Sequence, residues 1–241
     1  MPLTPVRVTR VLPKALYFDG NDYVEVGTLN GISDFPFAVE FIVNAETYWQ
    51  GWRGIVDWDR EVLKGFWVLT CASGNIVIFG TGDGTSAAEI WLSMDNYVNC
   101  FTHFIANYYT DKFEVFRNGA KIATKTLGFT PLVDTARPLF IGSRRATGDF
   151  FKGFIAFVRI YSRALSEDEV RWNFYHLNDP VRDGLVLWLH WDSIDIDAGV
   201  WYDKSGYGND GAIYGATLVD VIKKPVRILS PPSRIISPPL R

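Results

Sequence analysis

Short runs of alternating apolar and polar residues, cut by Gly, Asn and Asp, fill most of this chain and predict an antiparallel β-sandwich. The clearest hairpin is Lys112-Phe-Glu-Val-Phe-Arg-Asn-Gly-Ala-Lys-Ile-Ala123, where Asn118-Gly119 supplies the two positive φ angles of a type I′ turn. Residues 75–79 and 89–92 predict a second hairpin around the Gly-Thr-Gly-Asp-Gly-Thr loop at 80–85. Further strands are expected over 37–43, 101–109 and 139–142. Leu185-Val-Leu-Trp-Leu-His-Trp191 is continuously apolar, as in a strand covered on both faces. One helix interrupts the pattern. Ser166-Glu-Asp-Glu169 forms a capping box, its three acids suit the helix dipole, and the helix, expected over 166–175, must stop before Pro180.

Composition supports a large packed core, with 48% of the 241 residues apolar and 15% aromatic. The net charge is −3 with Lys and Arg scattered, which leaves no electrostatic footprint for nucleic acid. No apolar run approaches the roughly 20 residues of a membrane-spanning helix. The first ten residues lack the apolar core of a secretory signal, so the expectation is a removed signal or another export route. Cys71 and Cys100 read as two buried thiols, and a disulfide requires their Cα atoms to lie within about 6 Å.

No catalytic set stands out. Glu167, Asp168 and Glu169 belong to the helix cap, while Asp192, Asp195 and Asp197 fall in an expected loop. His103 and His190 lie in strands and His176 near the helix end, where each reads as a structural histidine. The expectation is a protein that is not an enzyme. Tyr48-Trp49-Gln50-Gly51-Trp52-Arg53 has the composition of an aromatic platform, making Trp49, Trp52 and Arg53 the glycan or interface candidates. Trp58, Trp67, Trp91, Trp172, Trp188, Trp191 and Trp201 are assigned to the core.

The chain ends differ from the middle. Val226-Arg-Ile-Leu-Ser-Pro-Pro232 is repeated as Ser233-Arg-Ile-Ile-Ser-Pro-Pro239, and Pro5 to Pro13 echoes it loosely. Proline pairs force extended backbone, while the aliphatic residues between them favour burial. Val226, Ile228, Leu229, Ile235 and Ile236 are therefore expected to form an arm that lies on a neighbour or on the protein's own body.

Three segments together resemble the laminin-G-like and pentraxin-like branch of the concanavalin A-like lectin/glucanase superfamily. They are Tyr17-Phe-Asp-Gly-Asn-Asp-Tyr-Val-Glu-Val26, Arg159-Ile-Tyr-Ser-Arg-Ala-Leu-Ser-Glu-Asp-Glu-Val170 and Asp203-Lys-Ser-Gly-Tyr-Gly-Asn-Asp-Gly211. Val115-Phe-Arg-Asn-Gly-Ala-Lys121 and Phe140-Ile-Gly-Ser143 match the family's hairpin and the strand before its long loop. The resemblance implies an all-β, two-sheet antiparallel jelly-roll sandwich. In the family's usual order the segment like 184–216 precedes the one like 15–26, whereas here it follows. A circular permutation accounts for this, giving an extended N-terminal arm over 1–14, one permuted sandwich over 15–220 and a Pro-rich arm over 221–241. The competing reading is a truncated second domain.

The glucanase branch of this superfamily carries Glu-x-Asp-x-x-Glu on one strand, and that pattern is absent. The resemblance also implies calcium, with Asp19, Asn21, Asp22, Asp203, Asn209 and Asp210 as candidate ligands. The same residue types occur in turns for backbone reasons alone. The Asp-Glu often found before Val-Arg-Ile-Tyr is here Ala156-Phe157, which weighs against calcium. The first functional expectation is a non-catalytic component of a virus particle or similar assembly, self-associating through its arms, in a virion or at an extracellular surface. The alternative is a carbohydrate-binding or adhesion module.

Overall fold

The computed structural model describes residues 12–45, 51–71 and 74–221. The expected terminal arms, including Val226, Ile228, Leu229, Ile235 and Ile236, lie outside these residues except for 12–14 and 221. There Leu12 and Val221 are buried, and Val221 N–H donates to the Pro13 carbonyl at 3.0 Å.

The protein is an all-β sandwich. Its first sheet contains β1 (Lys14–Asp19), β3 (Phe37–Ala45), β8 (Thr102–Tyr108), β9 (Lys112–Arg117), β10 (Ala120–Thr126), β12 (Lys152–Tyr161), β13 (Leu185–Asp195) and β16 (Thr217–Asp220). Its second contains β2 (Tyr23–Thr28), β4 (Gly54–Trp58), β5 (Phe66–Thr70), β6 (Ile76–Gly82), β7 (Ala87–Ser93), β11 (Pro138–Ile141), β14 (Val200–Asp203) and β15 (Gly211–Tyr214). The strand order is β10-β9-β8-β3-β12-β13 in one layer and β14-β15-β2-β11-β4-β5-β6-β7 in the other. Along β12, Ile155 faces Leu16 of β1, whereas Val158 faces Leu189 of β13, so two strands share one edge of β12. The far half of β13 leaves that sheet, and Ile194 pairs with Trp201 of β14 to join the layers.

Period-2 alternation points one set of side chains from each sheet into a common core. Phe37 of the first sheet meets Phe66 of the second at 5.7 Å, and Phe104 meets Phe79 at 5.3 Å. Residues 185–220 are hydrogen-bonded into the same two sheets as 14–28: Ile213 pairs with Val24 of β2, and Leu218 with Leu16 of β1.

Two boundaries differ from the sequence expectation. Gly80 and Gly82 continue β6 and do not belong to a loop. The Trp67 indole occupies the space that a Cβ at Gly80 would need, 2.1 Å away, so only glycine completes the ladder there. The apolar run from Leu185 extends through polar residues to Asp195 because its second half pairs with β14. Cys71 is buried as expected, but Cys100 is only half-buried.

The one helix, α1 (Glu167–Tyr175), carries the expected capping box and covers the outer face of the first sheet with Val170, Asn173 and Phe174. Beneath it Glu40 is fully buried. Its Oε1 accepts from Arg159 Nη1 at 2.9 Å and lies 2.8 Å from His103 Nε2, while Oε2 accepts from Asn173 Nδ2 at 2.8 Å and Tyr161 Oη at 3.2 Å. Burial alone would raise the pKa of this carboxyl, but Arg159, His103 and Asn173 outweigh it and hold the group below the usual range. Asp57, buried on the outer face of the second sheet, shows the opposite balance. Only its Oδ1 is satisfied, by Arg60 N–H at 3.0 Å, and burial pushes its pKa up to about 7.

These two acids give opposite predictions. Glu40→Gln leaves Arg159 buried without its counter-charge and should cost about 3–5 kcal/mol, read as a lowered urea midpoint at constant slope. The Glu40 contribution is present at neutral pH and is lost as pH falls through its depressed folded value. For Asp57 the folded pKa exceeds the unfolded one, so its ionisation weakens the fold as pH rises from about 4 to about 7. Asp57→Asn should remove that loss, on the order of 4 kcal/mol at most. The gap between variant and parent should widen over this window in urea titrations at successive pH values.

Candidate functional site

Among the described residues no helix longer than a single turn lies over the outer face of the second sheet, and its side chains fall in two transverse rows. One row reads, by strand register, Ala212, Glu25, Phe140, Asp57, Trp67, Gly80 and Glu89, from β15 across to β7. In the next, Tyr214 faces Tyr23 at one end, and Leu69, Ile78 and Trp91 follow at the other.

Trp91 is 49% exposed, which corrects its assignment to the core. The alternation of β7 is the reason: Ala88 and Ile90 face inward, so Glu89 and Trp91 face out. Trp58, Trp67 and Trp201 are fully buried, Trp188 and Trp191 nearly so, and Trp172 is half-buried. Trp52, 39% exposed, meets Trp91 edge to face at 5.8 Å. Trp49 lies outside the described residues.

Glu89 fixes the indoles. Its Oε1 accepts from Trp67 Nε1 and its Oε2 from Trp91 Nε1, both at 3.0 Å. The Arg60 guanidinium lies over the Trp67 ring at 4.8 Å and 3.7 Å from Glu89. A second aromatic group lies at the β2–β15 end. Tyr23 stacks on Tyr214 at 4.5 Å with a 14° interplanar angle, and Phe150 lies 6.1 Å from Tyr23. Arg53 joins the two groups, because its Nη1 donates to the Phe150 carbonyl at 2.8 Å and its own carbonyl accepts from Thr70 N–H. Tyr23, Phe150 and Tyr214 were not singled out by sequence, since their meeting depends on strands at opposite ends of the chain.

Charged groups border the aromatics. Arg145 pairs with Glu61 at 3.0 Å, and Arg144 pairs with Asp149 at 2.8 Å. Asp59 sits nearby in left-handed backbone, φ 74°, and burial pushes its pKa up to about 6. Such a face offers flat apolar rings for stacking, with donors and acceptors beside them for hydroxyl groups.

The calcium candidates do not come together. Asp19 and Asp22 serve the β1–β2 turn, where Asp19 N–H donates to Asp22 and Asn21 N–H to Asp19. Asp203 accepts from the N–H groups of Trp188, Ser205 and Asn209, and Asp210 accepts from Asp203 N–H. The side chain of Asn209 bonds the Asn30 backbone and the Val186 carbonyl. Asp22 lies against Gly215 and Asp210 directly precedes Gly211, so the two groups sit at opposite ends of β15, roughly 13 Å apart. Among the described residues no group of three or more His, Cys, Asp or Glu side chains is placed to share an ion. The histidines are engaged within the fold: His103 on Glu40, His190 on Asp192 at 2.6 Å, and His176 stacked on Trp172 at 3.6 Å. Burial pulls the His190 pKa down to about 4 despite Asp192.

A laminin-G-like family model, described as the concanavalin A-like lectin/glucanases superfamily, matches residues 18–171. Similar solved structures include a candidate carbohydrate-binding protein from Bacteroides ovatus, at 21% identity and TM-score 0.72, covering 90% of this chain and 62% of that one. The receptor-binding domain of botulinum neurotoxin type G matches at 13% identity and TM-score 0.51, over 70% of this chain and 51% of that one. A heptameric SAP-like pentraxin from Limulus polyphemus matches at 13% identity and TM-score 0.52, over 69% and 84%. The chain thus spans less than two thirds of the first two structures, and at these identities the likeness is one of fold. No curated protein matches by sequence. With the matched segment covering more than half its length, the chain belongs to the concanavalin A-like lectin/glucanase superfamily, in its laminin-G-like branch.

Proposed function

We propose that this protein is a non-catalytic carbohydrate-binding module whose glycan site is the exposed aromatic surface on the outer side of the second sheet, centred on Trp52 and Trp91. One observation carries the reading: two exposed indoles meet edge to face, Trp91 on β7 and Trp52 in the bend that leads into β4, with Trp91 Nε1 held by Glu89. Exposed tryptophan costs hydration, and a ring held in place loses little freedom on stacking against a sugar. The carbohydrate-binding description of the Bacteroides ovatus structure agrees with this, whereas the particle-component reading has no counterpart among the similarities. A hydrolase would need two carboxylates aimed at one glycosidic bond. Here both Glu89 oxygens are taken by indoles and Asp57 is buried, which supports a binding role. The same reading takes 15–220 as one permuted domain, supported by the β15–β2 and β16–β1 pairings, and places it at an extracellular surface where glycans are met.

A screen of the purified chain on a glycan array, followed by titration of the hits, tests the reading. Trp91→Ala and Trp52→Ala should each weaken glycan binding by about tenfold or more. Their unfolding midpoints should stay close to the parent's, because both side chains are substantially exposed. Undiminished binding by both variants would move the site elsewhere.

A further inference from the structure

Resting on that glycan-binding reading, we infer that the ligand is an extended oligosaccharide that crosses the strands of the second sheet in single file, from Trp91 to Tyr214. A series of neighbouring groups marks the path, joined at its middle by Arg53, which follows Trp52 along the chain and bonds the backbone of Phe150. Trp91 meets Trp52 at 5.8 Å; the next residue, Arg53, reaches the Phe150 carbonyl; Phe150 lies 6.1 Å from Tyr23; and Tyr23 stacks on Tyr214. Tyr214, like Trp52 and Trp91, is substantially exposed, so both ends of the line face solvent.

Register sets the length of the path. Tyr214 stands on β15 and Trp91 on β7, six strand spacings apart in the order β15-β2-β11-β4-β5-β6-β7, or about 29 Å. That distance holds several pyranose rings in a row and far exceeds one. A terminal sugar would need polar groups converging on a single spot, whereas the aromatic platforms here stand at opposite ends. Charge argues against a protein partner. The parallel row beside the line brings a part-exposed carboxylate to each end of it, Glu25 near Tyr23 and Glu89 near Trp91, with Phe140 6.2 Å from Tyr23. A stable protein interface buries about 800 Å² on each side around an apolar centre depleted of charge. Rings at both ends with Arg53 between them suit a chain whose units alternate apolar faces with equatorial hydroxyl edges.

The test is a length series measured by calorimetric titration of the full chain. The probes are β-1,4-linked glucan, xylan and mannan and β-1,3-linked glucan, each from disaccharide to hexasaccharide. In the ladder that binds, affinity should rise steeply with length and level off once the chain spans both platforms. Tyr214→Ala should lower affinity for the hexasaccharide about tenfold and leave the disaccharide unchanged. Tyr214→Phe, which keeps the ring, should restore the parent value. Trp91→Ala should weaken every length. Affinity independent of length, or a Tyr214→Ala variant that binds the hexasaccharide like the parent, would overturn the extended path while leaving the Trp91 site in place. No binding by any member of the four ladders would overturn both readings.

Discussion

The buried charge of Glu40 determines which side of this sandwich is covered. A carboxylate at the centre of β3 tolerates burial only if charged and polar partners surround it, and β12, β8 and α1 each supply some. Helix α1 contributes Asn173, and the segment after it offers the Leu177 carbonyl to Arg159. The outer face of the first sheet is therefore fixed under its cover. Only one helix longer than a single turn is found among the described residues, and on the outer face of the second sheet Trp52, Trp91 and Tyr214 stay exposed while Asp57, Trp67, Leu69 and Ile78 are buried.

That face owes its geometry to strands drawn from distant parts of the chain. β15 and β2 bring Tyr214 onto Tyr23, although 190 positions separate them in sequence. β7 and the entry to β4 bring Trp91 to Trp52. Side chains carried on paired strands hold their positions better than side chains on loops. Glu89 strengthens this further by bonding two indoles at once.

Much of the fold could be read from local signals. Asn118-Gly119 does adopt positive φ at both positions, and Ser166 and Glu169 close the capping box, because both features depend on residues a few positions apart. The aromatic candidate Trp52 was visible by composition. Trp91 was missed although the signal was present: Ala88, Ile90 and Leu92 alternate with Glu89, Trp91 and Ser93, and that alternation outweighs the general tendency of tryptophan to be buried. Glu40 could not be assigned from sequence, because its partners lie 63 to 133 positions away. The role of the calcium candidates is hard to read from sequence for a related reason. Asp and Asn in tight turns satisfy their own backbone, and no local pattern distinguishes that role from ion binding.

The way Glu89 is used also separates affinity from identity on this face. A carboxylate with both oxygens committed to indole N–H groups has little capacity left for a sugar hydroxyl, so on the proposed reading the Trp52–Trp91 pair would offer stacking that any pyranose with an apolar face could use. Discrimination between sugars must then come from groups whose polar atoms remain accessible along the line. Glu25 is half-exposed beside Tyr23, and the Arg145–Glu61 pair is exposed on both partners. Glu25 lies at the Tyr23 end, whereas Glu61 directly follows Arg60, whose guanidinium lies over Trp67 and 3.7 Å from Glu89. Under the proposed function, the physical division would be between a stacking end that sets how tightly a glycan is held and a polar stretch that sets which one.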